Sequence, residues 1–273
     1  MSIDIPQGQN TRELASGKLI YDEPAERVAR LRIDNPDKRG ALDQEILDAI
    51  AETTGTIDAS CLIVTGTGSV FSAGYDIGGL PDDRFAEEAE KLVAHPFTEA
   101  ISAITHFPFP TIGALNGHTI GGGLELALSC DIRICSESAK LGMPPAKLGL
   151  VYSYDGLAKF IQTIGPARTR ELFFTAQNIN ADRALKWGLV NYVRQAEAVG
   201  TDAVVMAEAI AANAPLSLKG NKEVINTLLS DEPIDQATRD ELSRLRRECF
   251  LSNDFHEGVR AFAEKRPPNW TGT

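Results

Sequence analysis

Asn116-Gly117-His118-Thr119-Ile120-Gly121-Gly122-Gly123-Leu124-Glu125-Leu126 is the stretch on which the reading of this chain turns. It follows an apolar run at 111–115 that reads as a strand, and it leads into a helical segment at 124–129. Glycines just before a helix leave backbone N–H groups uncovered by side chains at the positive end of the helix dipole, which makes an anion site. A second glycine-bearing loop, Phe71-Ser72-Ala73-Gly74-Tyr75-Asp76-Ile77, comes after another strand at 60–65, built on the apolar run Cys-Leu-Ile-Val. One N–H from each loop, aimed at one point, makes an oxyanion hole for an enolate or a tetrahedral oxyanion. Taken singly, each loop also reads as a tight turn, and Glu125 as a carboxylate that complements the helix dipole.

Working outward, alternating stretches at 18–22 and 27–33 read as paired strands, with a turn at Asn35-Pro36-Asp37. The spacing of Leu42, Ile46, Leu47 and Ile50 predicts a helix over 42–51, with Asp43 and Glu45 in its first turn. A charged helix is expected around 84–93, a strand at 131–135 and a short extended piece near 141. Beyond about residue 155 the pattern is almost wholly helical, at 157–164, 167–174, 181–187, 201–212, 216–229, 234–250 and 255–264. No Pro/Gly/Ser linker and no repeat interrupts it. The chain therefore reads as α/β, with a core over 1–200 and a helical region over 201–273 that packs on the core or on another subunit.

Composition narrows the function. The 273 residues are 43% hydrophobic and 24% charged, which is ordinary globular usage. Lysine and arginine number 27 against 38 aspartates and glutamates, a net charge of −11 that disfavours a nucleic-acid partner. No apolar run approaches the roughly 20 residues of a membrane span, and the polar start points to a cytoplasmic protein with no membrane partner. Cys61, Cys130, Cys135 and Cys249 show no CxxC spacing, and His95, His106, His118 and His256 form no HxxxH pair, so neither a disulfide frame nor a metal site is expected. A GxxxxGK[ST] phosphate loop and a GxSxG elbow are absent. Gly66-Thr67-Gly68 fails as a dinucleotide fingerprint because Phe71 stands where the third glycine belongs.

Together the two loops resemble the F-x-A-G-x-D-[IL] and N-G-x-x-x-G-G-G-x-E-[LM] motifs of the crotonase, or enoyl-CoA hydratase/isomerase, superfamily. Asn35-Pro36 to Ala41-Leu42, Phe174-Thr175-Ala176 to Gly188-Leu189-Val190, and Glu264-Lys265-Arg266-Pro267 extend the likeness over nearly the whole chain. The resemblance implies a spiral of ββα turns, a C-terminal helical region that builds trimers or dimers of trimers, and acyl-CoA thioester substrates. No separate cofactor is implied, coenzyme A being part of the substrate. Carried over residue by residue, the oxyanion donors are the N–H groups of Tyr75 and Gly122. Ala41, Ala73, Asp76, Ile77, Gly121 and Pro145 line the substrate. Lys38 or Arg39 meets a CoA phosphate, and Phe262 and Lys265, from a neighbouring subunit, lie near the nucleotide.

The departures from a hydratase decide the expected reaction. Hydratases of the family carry two glutamates. Glu125 matches the first, but Met143-Pro144-Pro145-Ala146 puts Pro145 at the position of the second. General acid–base catalysis is worth about 10²- to 10⁴-fold, so a missing partner matters. Leu148-Gly149-Leu150-Val151-Tyr152-Ser153, the Ala-Gly-aromatic-Asp-Ile pattern at 73–77 and the Glu-Lys-Arg-x-Pro-Asn ending resemble the methylmalonyl-CoA decarboxylases of the family, which have histidine where this chain has Tyr75. On that reading Tyr152 holds the carboxylate of a malonyl-type thioester, CO₂ leaves, and the enolate is protonated, with Glu125 orienting Tyr152 or a water or supplying the proton. Two alternatives stand beside it: a hydratase or double-bond isomerase on an atypical enoyl-CoA, using Glu125 alone or with Asp155, and a non-catalytic acyl-CoA-binding protein.

Overall fold

The computed structural model describes residues 8–76, 93–149, 151–230 and 235–273. Its strands are β1 (Gln9–Leu14), β2 (Leu19–Ala25), β3 (Val28–Ile33), β4 (Cys61–Gly66), β5 (Val70–Ser72), β6 (Thr111–Leu115), β7 (His118–Ile120), β8 (Ile132–Ser136), β9 (Lys140–Gly142), β10 (Ile179–Asn180) and β11 (Tyr192–Arg194). Helices α1 (Gln44–Thr54), α2 (Thr98–Thr105), α3 (Gly122–Leu128), α4 (Pro145–Leu148) and α5 (Tyr154–Thr175) lie among and after them. The chain ends in α6 (Ala181–Trp187), α7 (Val199–Ala211), α8 (Pro215–Leu229), α9 (Gln236–Leu251) and α10 (Asn253–Glu264). The helix expected at 84–93 lies outside the described residues.

One sheet runs β1-β2-β3-β4-β6-β8-β11 and a smaller one β10-β9-β7-β5. The β1-β2-β3 pairs are antiparallel, and from β3 onward the large sheet is parallel. Successive turns of chain place one strand in each sheet: β4 then β5, β6 then β7, β8 then β9. This is the ββα spiral that the sequence implied.

β4 shows why the large sheet is apolar on both faces. Leu62 and Val64 enter the main core with Leu31, Ile46 and Leu115, while Cys61 and Ile63 face the other way. There Val199, Ala203, Ala207 and Ala211, spaced four apart along α7, lie against Cys61, Ile63, Ile112 and Ile134. A strand buried on both faces reads as an unbroken hydrophobic run rather than an alternation. The two helices expected at 157–164 and 167–174 lie end to end within α5, separated by a kink at Gly165 (φ 79°, ψ 162°) just before Pro166.

The stacking of β5 on β7 positions the site. Val70 lies beside His118 and Ser72 beside Thr119, so the loops leaving the two strands emerge side by side. Buried Asn116 ties them together: its Oδ1 accepts from Gly66 N at 2.9 Å, and its Nδ2 donates to Gly68 O at 2.9 Å and Val70 O at 3.2 Å. Next to it, a Cβ on Gly117 would lie 1.8 Å from Ser69 O, so only glycine fits that crossing. Asn116→Ala strands one buried donor and two carbonyls, each group costing about 1–3 kcal/mol when unsatisfied. The expected result is a loss of about 3 kcal/mol or more, read as a lower urea midpoint with an unchanged slope; a midpoint equal to wild type contradicts this role.

Candidate active site

Gly121 (φ 57°) caps α3 and donates its N–H to Gly142 O at 2.9 Å, while its own carbonyl accepts from Leu124 N and Glu125 N. Gly122 is the first helical residue, and its N–H has no acceptor among the described residues. The N–H of Tyr75 has none either. Tyr75 is set by a short ladder with the turn at 39–42: Ala73 N donates to Arg39 O at 3.1 Å, Leu42 N to Gly74 O at 2.8 Å and Asp76 N to Leu42 O at 3.0 Å. Gly74 lies at φ 93°, and a Cβ there would stand 3.1 Å from Gly122 N and 2.9 Å from Ile120 O. The loops therefore meet backbone to backbone, with two uncovered donors at the junction. That is the arrangement an oxyanion hole requires.

Beside this junction sits one carboxylate. Glu125, one turn into α3, is 3% exposed, and the Tyr152 hydroxyl donates to its Oε2 at 2.5 Å. The Tyr75 hydroxyl in turn hydrogen-bonds that of Tyr152, so two phenols and a carboxylate form a chain. Burial raises the carboxyl pKa of Glu125, against the lowering effects of the Tyr152 hydrogen bond and the Lys159 charge. Burial and the neighbouring Glu125 charge raise both phenols, which stay protonated. Lys159 is itself depressed by burial, and its Nζ donates to Ser129 Oγ at 3.0 Å. Aromatic rings wall the group: Tyr75 meets Phe97 edge to face at 4.7 Å and Tyr152 meets Phe173 at 5.6 Å. Cys61, Cys130 and Cys135 are buried elsewhere with thiols pushed up to about 12, too high for thiolate chemistry.

A protein-family model described as Enoyl-CoA hydratase/isomerase matches residues 23–273. The chain belongs to that family. It is 34% identical over 245 residues to the short-chain-enoyl-CoA hydratase of Clostridium acetobutylicum, covering 88% of this chain and 92% of the relative. It is also 34% identical to the carnitinyl-CoA dehydratase of Escherichia coli K12, over 77% of this chain and 80% of that one. The solved enoyl-CoA hydratase of Bacillus anthracis superposes with a TM-score of 0.85 at 28% identity, over 94% of this chain and all of the other. The fold is thus the crotonase fold, and the chain is an acyl-CoA-processing enzyme of this family.

Within the enoyl-CoA hydratase/isomerase frame, the structure brings most of the sequence-derived residues together. Tyr75, Gly121, Gly122, Glu125 and Tyr152 share the junction. Pro145 is buried at the first position of α4, and Pro144 Cδ stands 3.9 Å from a Cβ built on Gly121. Ala41 is buried and its carbonyl accepts from Asn35 Nδ2 at 2.9 Å. Lys38 is engaged by Asp76, Nζ to Oδ2 at 2.5 Å, so two residues read separately from the sequence form one ion pair. Arg39 takes φ 55° and is exposed, as is Lys265 at φ 54° just past α10. Ile77 and the side chain of Phe262 lie outside the described residues. Asp155 is exposed in the first turn of α5 and acts on Glu125 only through its charge. Sequence reasoning took Tyr75 for its N–H alone and missed its phenol; the signal was an aromatic residue directly after Ala-Gly.

Proposed function

We propose that this enzyme adds water reversibly across the double bond of an enoyl-CoA thioester, with the N–H groups of Tyr75 and Gly122 holding the enolate oxygen and Glu125 carrying the proton. The observation that carries this reading is the Tyr152 hydroxyl 2.5 Å from Glu125 Oε2. A hydroxyl has one proton to donate. While Glu125 is ionised, Tyr152 gives that proton to the carboxylate and presents only lone pairs to a substrate. A malonyl-type carboxylate would face acceptors alone, whereas a neutral enoyl group brings no second negative charge beside a buried one. This displaces decarboxylation as the leading reading. The relatives named for hydration and dehydration support the change.

In the proposed reaction Glu125 takes a proton from water as the water oxygen bonds to the β carbon. The π electrons move to the thioester oxygen, where the two N–H groups meet the developing charge. The enolate then collapses and its α carbon takes the proton back from Glu125. One carboxylate serves both transfers, so Pro145 removes no obligatory group. Coenzyme A lies along Ala41, Ala73 and Asp76 in this proposal, with Lys38, Arg39 and Lys265 for its phosphates. An assembly through α8–α10 belongs to it as well, supported by the exposed Ile225, Leu228, Leu229, Leu251 and Val259.

Decarboxylation is the second reading, favoured by Pro145 and the paired phenols. It needs a protonated Glu125 that donates to Tyr152, freeing the Tyr152 proton for the substrate carboxylate. The pH profile separates the two because burial has raised the pKa of Glu125. Water addition needs the ionised form, so turnover of crotonyl-CoA is expected to fall as pH drops through that raised pKa and to be lost below it. Decarboxylation needs the protonated form and fades as pH rises through the same pKa. A kcat profile that climbs toward acid pH overturns the hydration reading.

A further inference from the structure

The Tyr75 side chain occupies an unusual place. Its backbone N–H is one oxyanion donor, and its ring packs against the Cα of the residue that carries the other: Cε1, Cζ and Cδ1 stand 2.9, 3.0 and 3.2 Å from a Cβ built on Gly122. The ring is fixed at several points. Phe97 meets it edge to face at 4.7 Å, Tyr152 holds its hydroxyl, and its backbone bridges to Leu42. Beyond it, Tyr152 packs on Phe173 and Phe173 on Phe160 at 5.1 Å. Tyr75 is half-buried and packs against the main core, and the desolvation of its phenol raises the pKa, so the ring is held by its neighbours rather than swinging free.

An acyl group whose carbonyl oxygen reaches the two N–H groups must run past this ring. We infer that Tyr75 sets the acyl specificity of the enzyme, confining it to short acyl groups such as butyryl and crotonyl. Long chains are stopped by a ring that cannot turn aside without breaking its contacts with Phe97 and Tyr152. The inference rests on the oxyanion-hole placement above and is independent of which reaction follows.

Saturated thioesters test it without any turnover. Butyryl-CoA and octanoyl-CoA are titrated by calorimetry into the wild type, Tyr75→Ala and Tyr75→Phe, with circular dichroism to confirm that each variant is folded. A methylene moved from water into an apolar site is worth about fourfold in affinity, so an open pocket rewards the longer chain strongly. The wild type is expected to bind octanoyl-CoA no more tightly than butyryl-CoA. Tyr75→Ala is expected to favour octanoyl-CoA by about tenfold or more, and Tyr75→Phe, which keeps the ring and loses the hydroxyl, to keep the wild-type ratio. Should Tyr75→Ala not fold, Tyr75→Leu, a smaller apolar wall, is expected to shift the ratio in the same direction. An unchanged ratio in a folded alanine or leucine variant overturns the inference, as does a wild type that already prefers octanoyl-CoA tenfold. Failure of the wild type to bind either ester overturns it together with the acyl-CoA reading.

Discussion

Gly122→Pro is expected to lower turnover about 10²- to 10³-fold relative to Gly122→Ala, the loss that goes with one oxyanion donor. Gly122 is the first residue of α3, where proline is tolerated because that N–H takes no part in the helix ladder. Both variants add a Cβ about where the Tyr75 ring stands, 2.9 Å from Cε1, so both disturb the ring and only proline deletes the donor. The comparison between the two therefore isolates one N–H. Steady-state kinetics with calorimetric binding of a saturated thioester separates the effects: kcat falls in the proline variant while binding, which does not develop the enolate charge, changes far less. Equal kcat in the two variants places the oxyanion elsewhere.

Glu125→Gln is expected to cost about 10²- to 10⁴-fold in kcat, because it removes the one carboxylate proposed to move protons. The variant keeps the shape of the side chain and an oxygen that accepts from Tyr152. Burial already disfavours the charged form of Glu125, so a neutral amide in its place is expected to leave the melting temperature unchanged or higher. Loss of activity with retained stability marks a group held in an unfavourable state for chemistry. Tyr152→Phe provides the contrast. With hydration it removes only the group that steadies Glu125 and costs less than Glu125→Gln; with decarboxylation it removes the hold on the substrate carboxylate and costs more. Kinetics and thermal unfolding on the same samples read both effects.

Much of the fold was legible because its signals are local. The Cys-Leu-Ile-Val run of β4, the 42–51 helix and the glycine-to-helix junction at 121–122 each depend on a few adjacent residues. Asp43 was read as part of the first turn of α1; it is the N-cap, accepting from Ile46 N at 3.0 Å. The short strands β5, β7 and β11 carried too few residues to show a period, yet β5 and β7 bring the two loops together. α2 was not anticipated, its eight residues offering only two apolar turns. The sequence separates the 157–164 and 167–174 helices at Gly165-Pro166, and the chain does kink there.

The site divides in the same way. Glycine spacing marks the two loops, the resemblance to the family picks the N–H groups of Tyr75 and Gly122 within them, and neither N–H has an acceptor among the described residues. Pairings between distant residues are mostly not legible: Lys38 with Asp76, Asn116 with the 66–70 turn, and the Tyr75 phenol with the Tyr152–Glu125 pair join residues that no sequence period relates, and of these only Glu125 with Tyr152 is among the sequence expectations. The last of these altered the expected reaction. From the sequence, Tyr152 is a donor for a substrate carboxylate, with Glu125 orienting it as one of several roles; in the structure its proton is directed to Glu125.

Mass spectrometry of thioesters after incubation with the enzyme, in parallel on crotonyl-CoA and methylmalonyl-CoA, tests the central claim most directly. Crotonyl-CoA is predicted to gain the mass of one water while methylmalonyl-CoA stays intact. Loss of CO₂ from methylmalonyl-CoA with crotonyl-CoA untouched contradicts the account: Glu125 would then act in its protonated form, and Tyr152 would be the group that holds the substrate.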